Sequence, residues 1–370
     1  MAGPTTADRQ RKRARFHPLT VRDVRRLTED SIEVTFDVPG ALADEYDYEP
    51  GQYLALRGRV AGKDMRRSYS ICASPVPGEV RVAIKRDIGG AFSSWANQSL
   101  HAGDVLEVMS PQGTFTTDID PGSTKHYAAV VAGSGVTPIM ALTRSILHTA
   151  PQARFSLLYS NRTAMDVMFL EELADLKDRY PSRFALYHVL TREVRNSDLM
   201  SGRLDAQRLA LFLQHLLRPG AVDEWFLCGP FELVQLCRDT LAEAGVSREK
   251  IHFELFTTDR PEFTGPPPVL PADEGAGVRT INFTLDGRTA SITTPAHGRE
   301  TVLSAALRVR PDVPFACAGG VCGTCRAKLT AGTIVMDENY ALEPEELDAG
   351  YILTCQSHPT SDSVSVNYDY

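Results

Sequence analysis

The sequence lacks a long uninterrupted hydrophobic run. Its most apolar stretch, Tyr127 to Leu142, is broken by two glycines, a threonine and a proline, so it is too interrupted to cross a bilayer. The basic residues near the N-terminus are not followed by an apolar segment, as a secretory signal would require. We therefore expect a cytoplasmic protein with no membrane partner.

The sequence also lacks an excess of positive charge. Its 47 acidic residues outnumber 39 lysines and arginines, and the formal net charge is -8. This balance argues against nucleic acid as a partner. The basic run from Arg9 to Arg15 is a local exception, which we interpret as a solvated tail, with a binding arm as the alternative.

Cysteine is scarce, with seven residues in 370, and an odd number in a cytoplasmic chain argues against a disulfide framework. Four cysteines cluster near the C-terminus in the pattern Cys317-x4-Cys322-x2-Cys325, with Cys355 further along. This spacing is typical of a plant-type [2Fe–2S] cluster, which four thiolates hold. A structural zinc site and four buried thiols without metal are the alternatives. We expect Cys72 and Cys237 to be small core residues.

The pattern along the chain indicates three folded regions. Short β-branched and aromatic segments punctuated by glycine and proline at 16–122 predict an antiparallel β-barrel. Strands alternating with helices at 123–258 predict a parallel sheet of α/β type. A Pro/Gly-rich linker at 259–277 leads to a C-terminal domain at 278–370, where a hairpin turns at Asp286-Gly287. The basic tail occupies 1–15.

A glycine-rich turn follows the first strand of the α/β region. The strand His126–Ala132 leads into Gly133-Ser134-Gly135-Val136-Thr137-Pro138 and then a helix, and a later strand ends in Cys228-Gly229-Pro230. Glycines at a strand-to-helix turn let the backbone approach a pyrophosphate, which the helix N-terminus also favours. The candidate nucleotide-binding residues are Gly133, Gly135, Val136, Thr137, Pro138, Cys228, Gly229 and Pro230.

Two arginines bear on the choice of nucleotide. Ser160-Asn161-Arg162 follows the second strand of this region, a position that commonly contacts the adenosine ribose. Arg162 and Arg192 can pair with a 2′-phosphate, which favours NADPH. If both are ordinary surface residues, NADH is the alternative. We take Ser160, Arg162 and Arg192 as candidate residues.

The barrel region contains Arg67-Ser68-Tyr69-Ser70 on a predicted strand. Alternation places Arg67 and Tyr69 on one face, where a guanidinium can pair with a diphosphate and a ring can pack on a flavin. Downstream, Val82 to Asn97 ends a strand in a glycine pair and opens a helix whose N-terminus can hold the same diphosphate. The candidate flavin-site residues in this stretch are Ile84, Lys85, Gly90, Phe92 and Ser93.

The order RSYS, GSGVTP and CGP resembles the ferredoxin–NADP⁺ reductase family. The resemblance implies that Arg67 binds the FAD pyrophosphate, that Tyr69 packs on the isoalloxazine, and that the Ser70 hydroxyl approaches flavin N5. It also matches Gly90 and Ser93 to a second phosphate-binding turn, and Thr137 and Cys228 to positions near the nicotinamide. Ser70 and Cys228 are the expected catalytic residues. FMN is the alternative flavin.

The chain departs from plant members of the family in one respect. Those reductases end in a tyrosine that covers the flavin, whereas here the reductase region ends in Glu254-Leu255-Phe256 and continues into the linker. Phe256 is the candidate covering aromatic. The resemblance therefore implies an FAD-binding β-barrel, an NAD(P)-binding α/β domain and an α+β ferredoxin domain of the β-grasp type.

With the appended ferredoxin domain and the stretches SGRLDAQRL, EWFLCGP and IHFELF, the chain is similar to reductase components of multicomponent phenylacetyl-CoA epoxidases. This resemblance implies electron transfer from NADPH through FAD and the cluster to a separate di-iron oxygenase component. Reductases of Rieske-type steroid and aromatic-ring hydroxylases share the layout and are the alternative. A redox-sensing or electron-storing protein that does not turn over is an alternative of a different class.

Overall fold

A computed structural model describes residues 14–194, 197–256, 277–296, 300–310, 313–315, 319–320, 323–339, 341–342 and 344–369. The predicted linker, apart from Gly277, and the predicted tail, apart from its last two residues, lie outside these ranges. The contacts divide the chain into two compact units, one of residues 1–60 and 68–258 and one of residues 61–67 and 259–370. Every helix among the described residues is too short or too polar to span a lipid bilayer.

The first region is the predicted antiparallel barrel sheet. Its six strands are hydrogen-bonded in the order β4-β3-β6-β1-β2-β5, and buried side chains such as Leu19, Val34 and Leu56 form its core. One helix, α1, lies between the fifth and sixth strands. The elements are β1 (Phe16–Thr28), β2 (Ser31–Asp37), β3 (Tyr53–Val60), β4 (Lys63–Ser70), β5 (Glu79–Lys85), α1 (Ala91–Ser99) and β6 (Val105–Met109).

The second region is a parallel five-stranded sheet in the order β11-β10-β7-β8-β9. Because right-handed crossovers run outward in both directions from β7 and β10, α2 and α3 cover one face and α4 and α5 the other. The elements are β7 (His126–Ala132), α2 (Val136–Thr149), β8 (Arg154–Asn161), α3 (Leu170–Arg179), β9 (Phe184–Leu190), α4 (Ala206–His215), β10 (Glu224–Gly229), α5 (Phe231–Glu243) and β11 (Ile251–Leu255).

The strand order reverses between β7 and β10, and this reversal positions the candidate site. In open α/β sheets, ligands bind where the strand order reverses, outside the carboxyl ends of the strands. The glycine-rich turn follows β7 and Cys228-Gly229-Pro230 ends β10, so both lie at that edge. The strand interiors are near-continuous apolar runs, such as the buried Tyr127 to Val131, because helices cover both faces.

The C-terminal region is a mixed sheet in the order β13-β12-β18-β14-β16, with a separate β15-β17 pair. The hairpin turns at Asp286-Gly287 as predicted, and α6 packs its buried Val302 to Ala306 against the hairpin. The elements are β12 (Val278–Leu285), β13 (Arg288–Pro295), α6 (Val302–Val309), β14 (Arg326–Ala331), β15 (Ile334–Met336), α7 (Pro344–Asp348), β16 (Tyr351–Leu353), β17 (Ser357–Pro359) and β18 (Ser363–Asn367).

The structure differs from the local sequence pattern in two places. The helical periodicity of 166–180 predicts a helix from Asp166, but α3 begins at Leu170, because Phe169 adopts a left-handed backbone with φ of 59°. The stretch YILTCQSHP predicts a strand that carries the fourth cluster ligand, Cys355, but this residue lies in the turn between β16 and β17. Both differences arise where buried side chains and tight turns override the local sequence pattern.

Candidate functional site

The glycine-rich turn and the start of α2 form the predicted nucleotide-binding edge. After β7 the chain makes a short 3₁₀ turn over Gly133–Gly135, and α2 begins two residues before the expected Pro138. The Thr137 hydroxyl donates to the Ser134 carbonyl at 3.0 Å. The first three side chains of the helix are buried: Val136, Thr137 and Pro138. These side chains are therefore not available to a nucleotide, and the positive dipole end of the helix is what suits a pyrophosphate here.

Gly135 lies against the end of β10. A Cβ placed on Gly135 would stand 2.3 Å from the Cys228 carbonyl oxygen, so only glycine fits there. The preceding Gly133 has a left-handed φ of 53°, and its carbonyl accepts a hydrogen bond from the buried Tyr159 hydroxyl at 2.9 Å. Sequence reasoning did not identify Tyr159, which ties β8 to the turn.

This contact leads to a prediction about stability. We expect Gly135→Ala to lower the free energy of unfolding by about 3 kcal/mol, because the new methyl group meets fixed backbone atoms. Gly133→Ala is the matched control. No described atom lies within 4 Å of its would-be Cβ, so we expect only the cost of a left-handed alanine, about 1 kcal/mol. Urea unfolding followed by circular dichroism measures both, and equal losses would contradict the close-approach argument.

The candidate ribose residues lie at the ends of β8 and β9. Ser160 is buried and pairs with Ala132 in the sheet register. The structure brings the two predicted arginines together, because the Arg192 backbone N–H donates to the Arg162 carbonyl at 2.8 Å. The Arg162 guanidinium also contacts two carboxylates, Asp30 at 3.1 Å and Asp166.

The predicted flavin strand is β4. Arg67 and Tyr69 lie two residues apart on it, and the extended backbone places them on one face. The Arg67 Nη1 donates to the Arg66 carbonyl at 2.7 Å. The Tyr69 ring lies 6.0 Å from the buried Phe92 ring, with an interplanar angle of 32°. Phe92 therefore supports Tyr69.

The N-terminus of α1 fits the predicted diphosphate turn. Gly90 stands at the N-cap and, as a glycine, contributes no capping side chain of its own. Ser93 is directed back into the turn, where its Oγ accepts from the Asp87 backbone N–H at 3.1 Å. Ile84 is fully buried, so only its backbone can serve a ligand. The Lys85 Nζ lies 3.4 Å from Asp30.

Ser70 and Cys228, the predicted catalytic pair, are linked through a third residue. The buried Ser70 Oγ donates to the Glu254 carboxylate at 3.2 Å. Glu254 lies opposite Cys228 in the parallel register of β10 and β11. Burial and the Glu254 charge raise the pKa of Cys228. Sequence reasoning did not assign Glu254 a role; its signal is its place at the carboxyl end of a strand beside the CGP turn.

Phe256, the predicted covering aromatic, follows directly after β11. Its backbone N–H donates to the Gly229 carbonyl at 3.0 Å. Its partly buried side chain packs against the core cluster that contains Cys228. Phe256 is thus fixed at the same strand ends as Cys228, and its role over the flavin stays a prediction.

The raised pKa of Cys228 leads to a prediction about pH. A raised thiol pKa means that the neutral thiol persists above the usual pH, so no thiolate forms in the neutral to mildly alkaline range. We therefore expect the rate constant for flavin reduction by nucleotide to show no Cys228 titration between about pH 7 and pH 9. Stopped-flow kinetics at several pH values provides the check. A titration step that disappears in Cys228→Ala would contradict it.

The C-terminal unit brings two of the four predicted cluster ligands to one end of its sheet. Arg326 of β14 faces Leu353 of β16, so the residues just outside this pair, Cys325 and the turn with Cys355, are adjacent. Thr354 fixes the turn, since its backbone N–H and its hydroxyl donate to the Cys325 carbonyl at 3.2 and 2.8 Å. Cys317 and Cys322 lie outside the described residues.

The two described thiols fit the chemistry of a cluster. Both Cys325 and Cys355 are buried, as thiolates around an iron–sulfur core are. The Gln356 amide nitrogen lies 3.7 Å from the Cys355 sulfur, and such amide-to-sulfur bonds tune a cluster's potential. Cys72 and Cys237 are buried in the other unit, as predicted for core residues.

Three family profiles match the chain in succession. An oxidoreductase FAD-binding domain matches residues 18–117, an oxidoreductase NAD-binding domain matches 130–239, and a 2Fe-2S iron-sulfur cluster binding domain matches 283–360. The matches follow the barrel sheet, the parallel sheet and the C-terminal mixed sheet. They confirm the predicted cofactor classes of FAD, pyridine nucleotide and [2Fe–2S] cluster.

The relatives extend over nearly the whole chain. One subunit of the 1,2-phenylacetyl-CoA epoxidase of Escherichia coli is 40% identical over 96% of this chain and 98% of its own length. The ferredoxin reductase component of the 3-ketosteroid-9-alpha-monooxygenase of Rhodococcus rhodochrous is 33% identical over 95% of this chain and 96% of its own. The solved structure of phthalate dioxygenase reductase shares the fold, with a TM-score of 0.59, 21% identity and coverage of 95% and 98%.

Proposed function

Since this chain belongs to the family of NAD(P)H-dependent iron–sulfur flavoprotein reductases that serve multicomponent oxygenases, we propose that it is the cytoplasmic reductase component of a di-iron phenylacetyl-CoA epoxidase. We assign FAD binding to residues 16–122, nucleotide binding to 123–258 and the cluster to 278–370. The observation that carries the proposal is the 40% identity to the Escherichia coli epoxidase component along 96% of the chain. The ketosteroid reductase component, at 33%, is the weaker match of the two relatives described above.

The proposed hydride site contains Ser70, Glu254 and Cys228. The Ser70 hydroxyl donates to the Glu254 carboxylate at 3.2 Å, and this pair would lie beside the flavin ring and the nicotinamide when both are bound. The neutral, fully buried Cys228 thiol keeps water from that edge without adding a charge. A bound flavin supplies the chemistry of taking two electrons as hydride and releasing them singly. No general base is required.

The remaining candidates have binding roles in this proposal. Arg67 and the N-terminus of α1 would hold the FAD diphosphate, and Tyr69, whose ring lies 6.0 Å from that of Phe92, would pack against the flavin ring. The turn at Gly133–Gly135 holds the nucleotide pyrophosphate through backbone N–H groups. Arg162 and Arg192 face the ribose and favour NADPH, with NADH as the alternative. The cluster ligands are Cys317, Cys322, Cys325 and Cys355.

An anaerobic titration of the purified protein with NADPH, and in parallel with NADH, tests the internal electron chain. We expect the absorbance bands of both flavin and cluster to bleach before any partner is added. Bleaching of the flavin bands alone would show an uncoupled cluster. Absence of bleaching with either nucleotide would refute the reductase function and support a protein that does not turn over.

The oxygenase partner requires a separate reconstitution. We expect the protein to support epoxidation of phenylacetyl-CoA by the di-iron oxygenase component at least about tenfold faster than it supports a steroid hydroxylase, since docking surfaces discriminate between partners by electrostatic and shape complementarity. The 33% identity to the ketosteroid reductase component over 95% of the chain makes that second system the specific alternative. Faster turnover with the steroid hydroxylase would reverse the assignment.

A further inference from the structure

Arg162 stands at the edge where the proposed nucleotide binds. It is the first residue after β8, which neighbours β7, and the Tyr159 hydroxyl of β8 reaches the carbonyl of Gly133 in the glycine-rich turn at 2.9 Å. A residue in this place of a dinucleotide-binding sheet lies near the adenosine ribose. Arg162 is therefore placed to distinguish a 2′-phosphate from a 2′-hydroxyl group.

The guanidinium of Arg162 is already engaged by two acids. Its Nη2 donates to Asp30 at 3.1 Å and also to Asp166. Asp166 belongs to the same loop, where Thr163 fixes it through its backbone N–H at 3.0 Å and its hydroxyl at 2.6 Å. Asp30 instead comes from the turn between β1 and β2 in the barrel region.

Asp30 is itself held firmly in place. Its Oδ1 accepts from the Thr28 hydroxyl at 2.8 Å and lies 3.4 Å from the Lys85 Nζ. The side chain is only 17% exposed, whereas that of Arg162 is 43% exposed. Asp30 is thus the more buried partner of the pair, with two further contacts of its own.

We propose that Asp30 is a specificity-determining residue that lowers the preference for NADPH by holding Arg162. A 2′-phosphate must compete with the Asp30 carboxylate for the Arg162 guanidinium, so part of the attraction it would gain is offset by the loss of the Asp30–Arg162 ion pair. A 2′-hydroxyl group does not need the guanidinium, so its binding leaves that pair intact. The inference rests on the proposed use of NAD(P)H. It means that a residue of the barrel region, Asp30, helps to determine whether NADPH or NADH is preferred.

The test compares kcat/KM for NADPH and NADH with ferricyanide as acceptor, so that only flavin reduction is required. Asp30→Asn keeps the size of the side chain and removes its charge. We expect it to raise the ratio of kcat/KM for NADPH to that for NADH about tenfold. For Asp30→Glu, which keeps the charge, we expect a ratio of kcat/KM values close to that of the parent protein. Asp37→Asn, which removes an acid paired with Arg22 at the far end of β2, should leave the ratio unchanged.

A double-mutant cycle with Arg162→Met separates this role from a general electrostatic effect. If Asp30 acts through Arg162, Asp30→Asn leaves the ratio unchanged in the Arg162→Met background. Inhibition by 2′,5′-ADP should strengthen in Asp30→Asn, and inhibition by 5′-AMP should not. An unchanged or lower ratio in an active Asp30→Asn protein overturns the inference, as does an equal rise in the Arg162→Met background. Failure of both nucleotides to reduce the parent protein would instead overturn the proposed function.

Discussion

Replacement of Cys355 by serine is expected to abolish the iron–sulfur cluster while sparing flavin reduction. Cys355 is buried in the turn between β16 and β17, next to Cys325. A serine hydroxyl is a poorer iron ligand than a thiolate, and burial hinders water from taking its place. We expect iron content to fall from about two atoms per chain to well below one. Electron transfer to the oxygenase should fall at least about a hundredfold.

Flavin reduction by nucleotide should remain within about twofold of the parent rate in this variant, because Cys355 belongs to a different compact unit from Ser70 and Cys228. Iron analysis, visible absorbance and anaerobic stopped-flow kinetics measure the three quantities. Cys237→Ala, which removes a buried thiol on α5, is the control and should keep its iron. Loss of flavin reduction in parallel with iron would show that the two modules do not act separately.

Replacement of Ser70 by alanine is expected to slow flavin reduction by about ten- to a hundredfold. Ser70 is the last residue of the RSYS segment, and its hydroxyl donates to the Glu254 carboxylate at 3.2 Å. Only an interaction that is stronger in the transition state than in the ground state changes this rate, and we expect the Ser70 hydroxyl to contribute about 1.5–3 kcal/mol there, the range of a hydrogen bond to a charged group. At about 1.4 kcal/mol per tenfold change in rate, this range gives the expected slowing.

The rate of flavin reduction in Glu254→Gln shows how much of the Ser70 effect depends on the charge of Glu254. The amide keeps a hydrogen-bonding partner for Ser70 but removes the charge, so we expect a smaller decrease, about threefold to tenfold. Ser145→Ala is the control, because its buried hydroxyl bonds to Ser74 at 2.9 Å, away from the site. Stopped-flow flavin reduction measures all three. A Ser70→Ala rate equal to that of Ser145→Ala would remove Ser70 from the hydride site.

The motifs that local chemistry imposes were predictable from the sequence. The strand and turn patterns indicated the correct type for each region, including β7 to the residue and the hairpin at Asp286-Gly287. The family profiles confirm the flavin, nucleotide and cluster classes that the RSYS, GSGVTP and cysteine patterns indicated. These patterns succeed because a tight turn, a helix N-terminus or a ligand loop requires particular residues at fixed spacing.

Contacts between distant segments were not predictable in this way. The hydrogen bond from Ser70 to Glu254 joins residues that are 184 positions apart, and the pair of Arg162 with Asp30 joins residues 132 positions apart. A single sequence carries no signal for which acid will meet which donor, because that depends on the register and packing of whole strands. For the same reason, the sequence predicts that Arg162 can bind a 2′-phosphate but gives no sign that two carboxylates share its guanidinium.

By itself, then, the sequence determined the order of the three regions, the cysteine pattern of the cluster and the position of the glycine-rich turn after β7, since each depends on residues close together in the chain. Only the tertiary structure decided that Glu254 joins Ser70 and Cys228, that Cys355 lies in a turn beside Cys325, and that Asp30 holds Arg162. These arrangements follow from strand order and register, which bring side chains together through burial and backbone pairing rather than through local spacing.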